Sequence, residues 1–251
     1  MDILQTLVGE FHLKQQHVEN VIALLDDGNT IPFIARYRKE MHGTMDDTTL
    51  RSLETRLTYL RNLQTRRDEV KKSIENQGKL TEELSAAIDA AATQAEVEDL
   101  YRPYKQKRRT RATVAKEKGL EPLALAIFAQ NGEDPAVLAQ DYIDPEKGVE
   151  TVEEALQGAQ DIIAEQVSDN AEVRKRVRNL VQIHGIVTSA QAKEGEDSVY
   201  ATYYDFSQPV SKLAGHRVLA LNRGEKEEFL KVSIALPGSE GQALVCRGAL
   251  K

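Results

Sequence analysis

Cysteine is nearly absent from this chain of 251 residues, with Cys246 standing alone. An internal disulfide and a cysteine-rich zinc site are thereby excluded, and the usage fits a reducing cytoplasm. Long apolar runs are missing as well. The longest feature of that kind, LALAIFA at 123–129, is far too short to span a bilayer. The N-terminal MDILQTLVGEF carries an acid where a secretory signal carries positive charge. A soluble cytoplasmic protein with no membrane partner is expected. Histidine is sparse and scattered: His12, His17, His42, His184 and His216 form no pair at metal-ligand spacing on one helix face. No glycine-rich loop leads into Gly-Lys-Ser/Thr, PGSEG lacks a strand-to-helix setting, and Cys246 has no neighbouring histidine to activate it. The expectation is therefore a protein that is no enzyme, with no catalytic residue, metal, cofactor or small-molecule substrate.

Excess positive charge is also lacking. At a net charge of -7 the surface is not basic throughout, so any contact with a polyanion has to be local. One stretch is locally basic, EVEDLYRPYKQKRRTRATVAKEKGLEP at 96–122. Glu96, Glu98 and Asp99 come first; Arg102, Lys105, Lys107, Arg108, Arg109, Arg111, Lys116 and Lys118 follow, with Glu117 among them. Pro103 lacks a backbone donor and disfavours helix at Arg102, so the acid-bearing helix is expected to end there and release 104–109 as an exposed connection. Thr110 is placed to cap the next helix. The same run admits two uses. Its cations and its two tyrosines suit a phosphate backbone and a base, or its guanidinium groups are tied to the preceding acids or to carboxylates of another helix.

Helical periodicity covers most of the chain, which at 41% hydrophobic residues has enough apolar material for one large or two ordinary domains. Two short helices are expected before Gly28, and Pro32 suits the first turn of a third, NTIPFIARYRKE. Arg36, Arg38 and Lys39 fall on its polar side, solvated or paired with Asp26, Asp27 and Glu40. No Pro or Gly interrupts 46–77, where Leu50, Leu53, Leu57, Leu60, Leu63, Val70 and Ile74 form a narrow seam with a polar break at Arg66 and Arg67. That predicts one helix of about 45 to 50 Å. Thr81 caps another, and Thr93 to Glu96 has the form of a capping box.

NTIPFIARYRKE, QGKLT, EDLYRPYKQKRRTRA and GLEPLA, followed by YYDF and HRVLALNRGE, stand in an order that closely resembles the N-terminal region of the bacterial Tex family of transcription accessory proteins. The resemblance runs from about Asp26 to about Ile234. It implies an elongated, mainly helical protein and a longer whole, continuing into a YqgF-type nuclease-like domain, helix-hairpin-helix motifs and an S1 domain. The chain would then be an N-terminal fragment. Nucleic acid, RNA or DNA, and the transcription machinery are the partners this implies.

Later segments read as a helix over 123–128, loops around a short helix from Pro135 to Tyr142, and a helix opened by Thr151. Asn170 caps a further helix whose basic face holds Arg174, Lys175, Arg176 and Arg178. Composition shifts after Ile183. Gly185 to Lys193 reads as a bend or strand, KEGED as a surface loop, and Tyr200, Tyr203, Tyr204 and Phe206 as a packed start of a second unit. His216 to Glu227 reads as a helix, FLKVSIAL as a strand and PGSEGQALVCRGALK as a loop. The expected fold is mainly α, a multi-helix domain with one long central helix over 1–183 and a small α/β portion over 184–251. Candidate phosphate contacts are Arg102, Lys105, Lys107, Arg108, Arg109, Arg111, Arg174, Arg178, Arg217 and Arg223. The alternative is a protein-interaction scaffold that touches no nucleic acid.

Overall fold

Apolar residues three and four apart open the chain with two short helices, α1 (Ile3–Phe11) and α2 (Gln15–Asp26). Asp2 caps the first by accepting the Gln5 N–H at 3.1 Å. A computed structural model describes residues 2–43, 45–106, 108–192 and 198–249. The KEGED segment and Lys107 lie outside the described residues. Pro32 begins α3 (Ile31–Tyr37), and Arg38 breaks the helix before α4 (Lys39–His42). The leucine seam then produces α5 (Asp47–Glu75), whose 29 residues extend about 43 Å. Leu7, Val18, Val21, Ile31, Ile34, Leu50, Leu53, Leu57 and Leu60 close into one core, so the first half of α5 is the floor on which α1 to α4 assemble.

The second half of α5 continues the seam through Leu63, Val70 and Ile74, with Arg67 taking the turn between them. Arg67 is 2% exposed. Its guanidinium donates to the Ala91 carbonyl at 2.6 Å and to Gln64 Oε1 at 3.3 Å. Ala91 closes α6 (Glu82–Ala90), and its carbonyl is one that a helix end leaves without a partner. The polar break expected at Arg66 and Arg67 is thus no gap in the seam. The aliphatic stem of Arg67 packs where a leucine would, and its head caps the neighbouring helix. Next comes α7 (Gln94–Tyr101), opened by Thr93 accepting from Glu96 N–H at 3.2 Å while the Glu96 carboxylate takes the Ala92 N–H at 2.7 Å.

Two compact units divide the chain, Met1–Tyr101 and Arg102–Lys251. In the second, Thr110 and Thr113 form a reciprocal capping box at the start of α8 (Arg111–Glu117). Then follow α9 (Glu121–Phe128), α10 (Pro135–Gln140), α11 (Val152–Asp169) and α12 (Ala171–His184). Ala112, Ala115, Leu120, Leu123, Ala155, Ala159 and Ile162 form their shared core. At Gly158 the α8–α9 corner presses directly on α11: a Cβ there would stand 2.3 Å from Leu120 Cδ1 and 3.3 Å from Ala115 Cβ.

Beyond α12 lie β1 (Ile186–Gln191), β2 (Asp205–Pro209), α13 (Gly215–Lys226), β3 (Leu230–Ala235) and α14 (Glu240–Ala249). The strands form an antiparallel sheet in the order β2-β1-β3, with Thr188 opposite both Ser207 and Ser233. Val187, Tyr200, Leu221 and Leu230 are its buried core, joined by Tyr203, Tyr204 and Phe206 at its margin. Helix therefore dominates, as periodicity predicts, with 68% of the described residues helical. The expected C-terminal loop is a correction: 240–249 is helix. Its glycines are close-approach positions, not breakers. A Cβ on Gly248 would lie 3.1 Å from Val173 Cγ2, which is how near α14 runs to α12.

Gly158→Ala gains helix propensity of about 1 kcal/mol but has to displace the buried Leu120, so a net loss of about 1 to 2 kcal/mol is expected in urea unfolding. The same change at exposed Gly9 in α1, where a Cβ meets nothing within 4 Å, is expected to stabilise by about 0.5 to 1 kcal/mol. Glu10 binds Arg56 through two hydrogen bonds, 2.7 and 2.5 Å, and these hold its carboxyl below the usual 4.5. A lowered native value means that the stabilisation is fully present above about pH 4.5 and is lost as pH falls through the native value. Melting temperatures of the wild type and Glu10→Gln are expected to differ at pH 7 by the equivalent of at most about 1 kcal/mol and to converge as the pH falls below that window.

Candidate nucleic-acid interface

Pro103 ends the regular helix, and a single 3-10 turn, Arg102–Tyr104, follows α7. Residues 105, 106 and 108–110 belong to no helix or strand, and Thr110 caps α8. The segment borders a cleft of about 540 Å³ whose lining includes Arg102, Lys105, Arg108 and Arg111 on one side. Asp161, Glu165 and Asp169 of α11 line the other. They recur every fourth residue, so each is about 6 Å further along one helix face.

This acidic row takes hold of part of the basic stretch. Arg102 Nε donates to Asp169 Oδ1 at 3.0 Å, and the Asp169 side chain is only 12% exposed. Thr110 Oγ1 donates to Glu165 Oε1 at 3.0 Å. Arg111 is held more loosely, with Nε 3.6 Å from Asp161 Oδ1 and a side chain 86% exposed. Arg109 bonds Glu117 at 2.9 Å on the solvent side, both groups being exposed. Lys105 and Arg108 are exposed at the cleft, and neither side chain has an ion pair or hydrogen bond among the described residues.

Two of the acids of α7 are engaged elsewhere: Glu96 accepts from the Ala92 N–H. Glu98 binds Arg66 at 2.6 Å, and with Glu69 it holds that guanidinium above its usual value. At the cleft, the carboxylates paired with Arg102 and Arg111 come from α11, while Glu117 of α8 pairs with Arg109. The sequence displays the row as D-x3-E-x3-D, a spacing that could have been read as one face of a helix had the basic run been matched against it.

The other candidates lie elsewhere. Arg174 and Arg178 are half-buried and line an apolar groove of about 620 Å³ with Val167, Val173, Val177 and Val245. Arg174 donates to the Ser168 carbonyl at 3.3 Å. Arg217 lies on α13 and reaches β2 of the small sheet, where it donates to Gln208 Oε1 at 2.6 Å and lies 5.9 Å over the Phe206 ring. Arg223 is exposed on α13. Cys246 is exposed on α14. Among the described residues no group of His, Cys, Asp and Glu could hold a metal ion, and no helix is long and apolar enough to cross a membrane.

The described fold is thus two compact units, mainly helical, with the cationic connection just after their boundary at Arg102. Residues 1–75 match the Tex-like protein N-terminal domain and residues 130–249 the Tex central region. The chain belongs to the Tex family. It is 48% identical over 251 residues to the protein YdcI of Bacillus subtilis, covering 98% of this chain and 35% of that one. It is 42% identical over 238 residues to the transcriptional accessory protein Tex of Neisseria gonorrhoeae, 93% of this chain and 31% of the relative. The human S1 RNA-binding domain-containing protein 1 is 31% identical over 243 residues, 93% and 24% of the two chains. The chain thus spans about a third or less of the length of these relatives.

The two kinds of arginine should separate in stability. Arg102→Ala removes a partner from the largely buried Asp169 and is expected to cost about 1 kcal/mol, whereas Arg108→Ala is expected to stay within about 0.5 kcal/mol of the wild type in thermal unfolding.

Proposed function

We propose that this chain serves as the helical part of a transcription accessory protein and contacts the phosphate backbone of RNA or DNA without reading bases. The contact is placed on the connection after Pro103, with Lys105 and Arg108 as its principal groups and Arg109 and Arg111 as exposed, loosely held additions. The observation that carries this reading is the exposure of Lys105 and Arg108 beside the cleft with no carboxylate partner among the described residues, while Arg102 is tied to Asp169. Lys107, the remaining cation of the connection, is assigned to the same contact on its place in the sequence. The names of the relatives, a transcriptional accessory protein and an S1 RNA-binding protein, support the same direction.

A scaffold role has its own observation in favour. The groove between α11, α12 and α14 is lined mainly by valine and alanine side chains and would suit the apolar face of a partner helix. In that reading Arg174 and Arg178 are groove walls and not phosphate contacts.

Salt dependence separates the two. Each neutralised phosphate contributes roughly 0.7 to 0.9 to the slope of log K against log salt, so Lys105→Ala with Arg108→Ala is expected to flatten the slope by about 1.4 to 1.8 with an unchanged melting temperature. A chain with no measurable affinity for a single- or double-stranded oligonucleotide at low salt would leave the scaffold reading.

A further inference from the structure

A second basic surface lies in the first unit, on residues the connection does not involve. Phe33 and Tyr37 are four apart on α3, and their ring centroids are 5.3 Å apart. The helix breaks at Arg38, whose guanidinium folds back over Phe33 at 5.2 Å from the ring centroid and donates to the Tyr37 carbonyl at 3.1 Å. One side of Phe33 is thereby covered. Tyr37 is left 56% exposed, an open aromatic surface on a buttressed base. Arg36 and Lys39, immediately beside it, are exposed and have no ion pair or hydrogen bond among the described residues.

Solvation or pairing with Asp26, Asp27 and Glu40 is the simplest use the sequence offers for these cations. The structure removes the first of those acids. Asp26 accepts two hydrogen bonds from Arg61, at 2.7 and 2.8 Å, which also hold its carboxyl below the usual range. Asp27 and Glu40 remain exposed on the surface and make no ion pair with Arg36 or Lys39. An exposed ring between two unpaired cations combines the two elements by which unstacked nucleotides are held: a flat surface for a base and charge for the adjoining phosphates.

We propose that the α3–α4 corner is a binding site for single-stranded nucleic acid, with one base stacked on Tyr37 and neighbouring phosphates on Arg36 and Lys39. Single strands are favoured over duplex because the ring needs an unstacked base. The contact has no sequence preference, since every base presents a flat face.

The test uses the full chain and fluorescence anisotropy with labelled oligouridine, oligothymidine and a duplex of equal length. Tyr37→Ala is expected to weaken binding of one or both single strands about 5- to 150-fold. Tyr37→Phe should keep the affinity. Arg36→Ala with Lys39→Ala should flatten the log K against log salt slope by about 1.4. Loss on oligouridine alone would identify RNA as the ligand, and loss on both strands would show that either serves. An unchanged affinity in Tyr37→Ala, or a duplex bound as tightly as the single strands, would overturn the proposal. Lys105→Ala with Arg108→Ala, run in parallel, keeps this site separate from the connection: binding lost there and retained in Tyr37→Ala sinks the α3 site alone. Ultraviolet crosslinking of oligouridine to the unmodified chain needs no folded variant. An adduct on 31–39 supports the site, and adducts found only elsewhere contradict it.

Discussion

A single proline sets the plan of this molecule. Pro103 cannot donate a backbone hydrogen bond and restricts Arg102, so α7 gives way to one 3-10 turn and the chain leaves the helix. The boundary between the two compact units falls at this point, between Tyr101 and Arg102. It also frees a cationic segment from regular backbone pairing. Had α7 continued, Lys105 and Arg108 would have been placed on helix faces. As it is they stand on irregular backbone beside a cleft.

What that segment can do is then decided by α11. Carboxylates four residues apart present a regular negative edge, and the cations closest to it are partly spent. Exposed pairs of this kind are individually weak, about 0 to 1 kcal/mol, and weaken further with salt. They differ in how firmly they hold. Asp169, largely withdrawn from solvent, keeps Arg102; Asp161 leaves Arg111 almost wholly in water. A basic run that looks uniform in sequence is thus graded in space, from an arginine acting as a structural tie to cations open to an external anion. The valine-lined groove between α11, α12 and α14 shows the same sorting, for the arginines of α12 with candidate roles are half-buried there.

Local order was the most legible part of the fold. The leucine spacing from Leu50 to Ile74, the threonine caps at 81, 93, 110 and 151, and the break at Pro103 all express interactions within one turn of helix. They need no knowledge of tertiary structure. Arg67 was less legible, because a buried arginine is recognisable only once the carbonyl of Ala91 is known to need a donor. The tail departs from its sequence signal for a related reason: glycines in PGSEGQALVCRGALK suggest a loop, but Gly248 is small because α14 lies against Val173. Strand β2 carries little apolar signal, since it is a short edge strand ending at Pro209. In the candidate site the cations and their exposure were visible in sequence. Their partners were not, because Asp161, Glu165 and Asp169 lie fifty and more residues further on, and only folding brings α11 beside the connection.

The central claim is that unpaired cations on the two units, and not the helices that carry them, meet the nucleic acid. Amide chemical shifts recorded while a single-stranded oligonucleotide is titrated into the full chain at low salt test it most directly. The account predicts shifts concentrated at 104–111 and at 36–39, with the core amides of α5 and α11 unmoved. Shifts confined to the groove between α11, α12 and α14, or none at any site, would contradict it.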